Sequence, residues 1–192
     1  SICPFYDLDE GFHLRKLGEG DINAVTAVHR DLKTIKERLS VGDIAYWVEH
    51  KGKCVNIQWY TENDYLVWDI RSKVTFSKGS VYIYDGFTDP SFRGKGINKA
   101  ALSKIIRDAI LLSSGSIYSL TQVSNPMGWG FLEKFGFEKV AVITLQQIPP
   151  IRRYVIKYDK IKDIKIRFIS IRNRPMKIDI EALRFINDYD EH

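Results

Sequence analysis

The chain has 192 residues, 44% of them apolar and 28% charged, with a net charge of +5. These values are ordinary for a soluble globular protein with one sizeable core, and no apolar stretch approaches the length of a membrane span. Two cysteines and four histidines without ligand spacing suggest neither a disulfide framework nor a bound metal, so a reduced, cytoplasmic setting is expected.

In chain order, His13 to Leu17 reads as a short strand running into the turn Gly18-Glu19-Gly20-Asp21. Asn23 to Leu39 reads as one helix, with Val25, Val28, Leu32, Ile35 and Leu39 near helical spacing. Ile44 to Val48 and Cys54 to Tyr60 form a plausible hairpin around Lys51-Gly52-Lys53, and Tyr65 to Ile70 is a further strand. Val81 to Thr88 is β-rich. Ile97 to Leu112 is an amphipathic helix whose apolar face runs through Ala101, Leu102, Ile105, Ile106 and Ala109. Ile117 to Val123 is a strand, and a short helix spans Pro126 to Phe135. Ser124 or Asn125 caps that helix and a left-handed Gly136 stops it, before a strand over Glu138 to Leu145. Tyr154 to Phe168 alternates apolar and charged residues as a half-exposed antiparallel strand or hairpin does. Glu181 to Tyr189 reads as a short terminal helix docking through Leu183 and Ile186. The strands on either side of the long helix, joined by a helical crossover, should be parallel neighbours.

The most informative segment is Arg93-Gly94-Lys95-Gly96-Ile97-Asn98, between a strand and a helix start. Such a turn leaves main-chain N–H groups without partners at the positive end of a helix dipole, a ready site for phosphate oxygens. Glycine allows close approach to the main chain, and Arg93, Lys95 and Lys99 add positive charge. The mononucleotide loop G-x-x-x-x-G-K-[S/T] is absent, and G-x-G-x-x-G is only half met because Lys99 holds its third position. Taken alone, the turn could equally use glycine for geometry only.

A second motif follows one strand later: Asn125, Gly128, Lys134, Gly136 and Phe137. Together the two motifs resemble those of the GNAT superfamily of N-acetyltransferases. The first has the pattern [Q/R]-x-x-G-x-[G/A], preceded here by Asp89-Pro90-Ser91-Phe92. The second has the pattern Asn-x-x-small-…-Lys-x-Gly-Phe. The resemblance is close over Val81 to Val140 and weaker elsewhere. It implies an α/β fold of GNAT type, with a mixed, mostly antiparallel twisted sheet and two splayed parallel central strands flanked by helices. Residues 1–150 would form the acetyltransferase-like core, with 151–192 as strands and a short helix packed on the same domain.

The resemblance also implies a reaction: direct transfer of an acetyl group from acetyl-coenzyme A, as co-substrate, to a primary amine. The cofactor's pyrophosphate would sit on the amides of Arg93, Gly94, Lys95, Gly96, Ile97 and Asn98. Main-chain N–H groups near Phe87 and Thr88 would polarise the thioester carbonyl, and Asn125 and Lys134 belong to the second motif. Asn98 stands where the family prefers Gly or Ala, and is expected to tolerate the turn or cap the helix. Leu132 stands where many members place a proton-donating Tyr. Tyr118 and Tyr84 are then the nearest phenols, and the candidate bases are Asp85, a carboxylate in an otherwise apolar strand, and, through a water, Tyr84. Asp85 could instead cap a turn or pair with a lysine near the strand end. Neither cysteine has a recognisable His partner, which favours direct attack over a covalent intermediate.

The acceptor is less legible. Tyr46, Trp47, Trp59, Tyr60, Tyr65 and Trp68 could floor a cleft, but packing explains most of them more simply, and neighbours in one strand face opposite ways. A small amine or amino sugar is favoured. Eleven Lys/Arg against seven Asp/Glu between Ile151 and His192 supply most of the net charge. A solvated strand pair accounts for them more simply than a nucleic-acid arm, so no nucleic-acid or membrane partner is expected, although a homodimer could form by adding strands there. The alternatives are a degenerate coenzyme-A-binding regulatory module, suggested by Leu132, and a basic nucleic-acid adaptor.

Overall fold

Local chemistry sets the element boundaries. In the computed structural model β1 (Phe12–Lys16) is followed by α1 (Ile22–Thr26), α2 (Leu32–Ser40), β2 (Ile44–His50), β3 (Lys53–Thr61), β4 (Tyr65–Val67) and β5 (Ser72–Thr75). Then come β6 (Val81–Thr88), α3 (Ile97–Leu112), β7 (Ile117–Gln122), α4 (Pro126–Glu133) and β8 (Phe137–Ile148). The chain closes with β9 (Ile151–Tyr158), β10 (Lys165–Phe168) and β11 (Met176–Phe185). The structure describes residues 6–26, 31–67, 72–112, 115–148, 151–158, 165–168 and 176–185. Trp68 and Ile186 lie outside them.

Two compact units divide the chain: Ile2–Glu62 with Ile83–Leu112, and Asn63–Tyr82 with Ser113–His192. In the first unit the strands lie in the order β1-β2-β3-β6. The β2–β3 hairpin turns through Lys51 and Gly52, both left-handed at φ 51° and 75°. Helix α3 covers one face of this sheet, where Val48 and Val55 pack against Ile97 and Ala101. On the same face the Tyr46 hydroxyl donates to Asp108, which also pairs with Lys104 Nζ at 2.5 Å. Burial first, and then Asp108, raise the Tyr46 phenol above its ordinary range. Trp47 and Trp59 face the other way, Trp47 beneath Arg15 and Trp59 beneath Arg38. The predicted alternation of the aromatic pairs therefore holds, and all four of Tyr46, Trp47, Trp59 and Tyr60 are buried.

The expected single helix over Asn23 to Leu39 is two helices. Asp31 is extended (ψ 155°) and accepts from the Thr34 N–H as an N-cap, so α2 starts afresh there.

In the second unit β7, β11, β8 and β9 form antiparallel ladders in that order, and β10, β5 and β4 form a separate three-stranded sheet. The expected terminal helix over Glu181 to Tyr189 is corrected by this arrangement: Glu181 to Phe185 belong to β11. Its main chain pairs with strands on both sides and Leu183 is fully buried, so sheet context overrides local propensity. Of Tyr154 to Phe168, expected as an antiparallel strand or hairpin, the described parts are antiparallel strands that pair elsewhere and not with each other, β9 with β8 and β10 with β5. The boundary expected at Pro150 falls between two strands that pair with each other. At the start of β7 the main chains approach closely: the Val81 N–H donates to the Ser116 carbonyl at 2.9 Å. A Cβ on Gly115 would lie 2.5 Å from the Gly79 carbonyl carbon.

Candidate active site

The anion turn takes its shape from two left-handed glycines. Gly94 has φ 80° and Gly96 φ 74°, and a Cβ on either would meet nothing within 4 Å. Glycine is needed here for backbone conformation, not to relieve crowding within the chain. Between Gly94 and Lys99 no main-chain N–H has an acceptor among the described residues, and α3 begins with the Ala100 N–H donating to the Gly96 carbonyl at 3.1 Å. Alternating left-handed glycines ahead of a sixteen-residue helix thus gather free donors at its positive end. Arg93, Lys95 and Lys99 are exposed around them, while Ile97 is buried and anchors the turn. Asn98 departs from expectation. It is the second residue of the helix, needs no left-handed geometry, and turns its Oδ1 toward Asn56 Nδ2 at 3.2 Å.

The end of β6 is distorted. Asp85 has φ 48°, a left-handed conformation rare outside glycine, and both Tyr84 and Asp85 meet Arg38. Arg38 Nη1 lies 2.6 Å from Asp85 Oδ2, and its guanidinium carbon lies 4.9 Å from the Trp59 ring centre and 5.0 Å from that of Tyr84. The Tyr84 hydroxyl donates to Asp43 Oδ2 at 2.5 Å. Asp85 thus pairs with a cation, but the partner is an arginine from α2 and not the lysine near the strand end that the sequence suggested. Next to Asp85, Gly86 faces Gln58, and a Cβ there would lie 2.1 Å from Gln58 Oε1. Beyond it, the Phe87 carbonyl and the Thr88 hydroxyl both accept from Asn56 Nδ2, at 2.9 and 2.8 Å. A groove of about 660 Å³ runs along α2 between Leu17–Ile22 and Lys36–Ser40, with Glu19 and Lys36 as charged walls.

Three predicted residues belong to the second unit. Tyr118 is fully buried, and its ring stacks on Phe76 with centres 4.7 Å apart. Asn125, rather than Ser124, caps α4 by accepting from the Gly128 N–H at 3.1 Å. The motif spacing has a local cause: a Cβ at Gly128 would lie 2.6 Å from Asn125 Nδ2 and 3.1 Å from Thr121 Oγ1. Gly136 is left-handed at φ 85°, Phe137 is buried behind it, and Lys134 is exposed at the helix end. Leu132, where a Tyr was looked for, is buried.

The model of the acetyltransferase (GNAT) family matches residues 30–137, more than half of the chain. The chain belongs to the GNAT acetyltransferase family. Its fold is the family's mixed α/β arrangement, a mostly antiparallel sheet with a parallel pair, flanked by helices. Among solved structures it is similar to a ribosomal-protein-alanine N-acetyltransferase from Brucella melitensis, at 17% identity and a TM-score of 0.59 over 91% of this chain and 99% of that one. An N-acetyltransferase from Staphylococcus aureus Mu50 has 14% identity and a TM-score of 0.56, covering 89% and 96% of the two chains. The spermidine/spermine N-acetyltransferase SpeG from Vibrio cholerae has 14% identity and a TM-score of 0.55, covering 91% and 92%. At these identities the likeness is one of fold. No curated protein sequence matches the chain significantly.

Sequence reasoning missed Arg38, Asp43 and Asn56. Arg38 looks like the solvated face of a helix, and nothing local signals its pairing with Asp85. Asn56 did carry a signal, as a carboxamide between the apolar Val55 and Ile57, with a second carboxamide, Gln58, two positions on.

Proposed function

We propose that this GNAT chain transfers an acetyl group from acetyl-coenzyme A directly to a primary amine, with a small amine or amino sugar as the favoured acceptor. The observation that carries the reading is the row of acceptor-free amides from Gly94 to Lys99, set by two left-handed glycines at the start of α3. This donor set fits a diphosphate, and exposed Arg93 and Lys95 add complementary charge. When bound, the co-substrate supplies an acyl thioester already activated for attack. Main-chain N–H groups near Phe87 and Thr88 hold the developing charge on the acyl oxygen, in a strand end that Asn56 fixes. Asp85 receives or directs the amine proton, held in place by Arg38. Tyr84 donates to Asp43, so its phenol oxygen is left as an acceptor. The roles of Asn125 and Lys134 in cofactor binding rest on the second motif alone, and that of Tyr118 as proton donor rests on its place in the strand after α3.

A second reading, a coenzyme-A-binding module without turnover, is favoured by the buried Leu132 at the usual Tyr position. Thiol release from acetyl-coenzyme A across a panel of amines, run beside calorimetry with coenzyme A, decides between them. Turnover with at least one amine supports the enzyme. Binding without turnover on any amine supports the module, and no binding removes both.

A further inference from the structure

Asn56 sits in the middle of β3 and is fully buried. Its Nδ2 reaches three acceptors: the Phe87 carbonyl at 2.9 Å, Thr88 Oγ1 at 2.8 Å and Asn98 Oδ1 at 3.2 Å. A carboxamide nitrogen carries two hydrogens, so the three acceptors share them and their positions depend on one another. The Phe87 carbonyl fixes this orientation, because turning the amide over would set its oxygen against a carbonyl oxygen that has no hydrogen to give. Asn56 Oδ1 has no hydrogen-bond partner among the described residues, so the group is held from one side only. This one side chain therefore ties the first turn of α3 to the end of β6.

We propose that Asn56 is a positioning residue that couples occupancy of the anion turn to the peptide group joining Phe87 and Thr88. The idea rests on the proposed function, in which that strand end holds the acyl oxygen. An anion on the free amides pulls on the first turn of α3, and Asn98 lies in that turn. With no solvent around Asn56, a displacement of Asn98 Oδ1 redistributes the shared hydrogens instead of being absorbed by water. The Phe87 carbonyl then accepts more or less strongly. A carbonyl that accepts a stronger hydrogen bond makes the N–H of its own peptide, that of Thr88, a stronger donor. Arg93 Nε approaches the Thr88 carbonyl at 3.3 Å, but that oxygen belongs to the next peptide group. The two routes can therefore be told apart by which amide responds.

The test is an amide-resolved NMR titration of the full chain with ADP, a nucleoside diphosphate without a pantetheine arm. In the unsubstituted protein the amides of Gly94 to Lys99 and that of Thr88 shift together. In Asn56→Ala, and in Asn98→Ala, the turn amides still shift and the Thr88 response is lost. Asn98 is only half-buried, so its variant keeps the test intact if the Asn56 variant does not fold. A Thr88 shift that persists in the Asn98 variant overturns the coupling. Should the turn amides themselves stay still in the unsubstituted protein, the anion turn fails, and the coupling with it. That failure is visible separately, at residues 94–99.

Discussion

Arg38 Nη1 lies 2.6 Å from Asp85 Oδ2, joining α2 to β6 in a pair whose side chains are 15% and 12% exposed. Arg38 also lies over Trp59 and Tyr84, so its removal takes away a charge partner and a packing surface together. Arg38→Met leaves a buried carboxylate without its guanidinium, which costs about 3–5 kcal/mol in the usual range for broken buried pairs. Arg38→Met with Asp85→Asn costs less than the sum of the single changes, because no buried charge is then stranded. Urea denaturation of the three variants measures both quantities.

Asp85→Asn separates charge from backbone. Asparagine tolerates the left-handed conformation that Asp85 adopts at φ 48°, so the local backbone is kept. If Asp85 handles the amine proton, turnover falls by about 10²–10⁴-fold while coenzyme A affinity is kept. Unchanged thiol release in this variant removes Asp85 from the reaction and leaves it a structural partner of Arg38.

Gly86 is small because Gln58 occupies the space a side chain would need. Gly86→Ala places a methyl 2.1 Å from Gln58 Oε1, and the buried glutamine has to move. The expected cost is about 1–3 kcal/mol, as for other overpacked sites. Gln58→Ala in the same chain restores much of it, since the obstacle is one side chain and not the main chain. Thermal unfolding of the single and double variants checks the compensation.

The elements read correctly in advance are those whose signals are local. The β6–α3 unit shows in strand composition, paired glycines and an apolar helix face, and its bounds agree with the sequence reading. The cap at Asn125 and the stop at Gly136 are likewise set by neighbours only a few residues away. The break at Asp31 was also local, but an apolar spacing continuous across it hid the N-cap. What stayed hidden depends on distant partners. β11 is a strand because β7 and β8 both receive it, and nothing within Glu181 to Phe185 announces that. Arg38 with Asp85 and Asn56 with Asn98 are separated by tens of residues, and neither pair has a characteristic spacing. Asp85 drew notice as a lone carboxylate in an apolar strand, yet its partner could not be read from the sequence.

Alkaline stability should decline in two steps. Burial pushes the Cys54 thiol up to about 12 from an ordinary 9.0, and burial with the charge of Asp108 pushes the Tyr60 phenol to about 12 from 10.0. Both groups stay protonated in the folded chain while the unfolded chain loses its protons. The stabilisation is therefore whole below pH 9 and is lost as pH rises from there toward 12. The slope is about 1.4 kcal/mol per pH unit for each group once its unfolded form has ionised. Cys54→Ala removes the step that begins first, near pH 9, and leaves the later one, to which the raised phenols of Tyr46 and Tyr60 both contribute. Denaturant midpoints between pH 8 and 11 record the difference.

The turn glycines separate conformation from binding. Alanine at Gly94 or Gly96 meets no atom within 4 Å, so its only direct cost is the left-handed backbone, about 1–2 kcal/mol each. The fold tolerates that much. Binding should not, because relaxation of φ toward negative values turns the neighbouring N–H groups out of their common direction. Hydrogen bonds to a charged partner are worth about 1.5–3 kcal/mol, so losing one or two weakens coenzyme A binding by at least about tenfold. Gly52→Ala is the matched control: it has φ 75° and the same empty surroundings, but sits in the β2–β3 hairpin. Calorimetry with coenzyme A should find the control unchanged in affinity despite a similar loss of stability. Equal losses of affinity at Gly52 and Gly96 would mean that general strain, not the row of amides, governs binding.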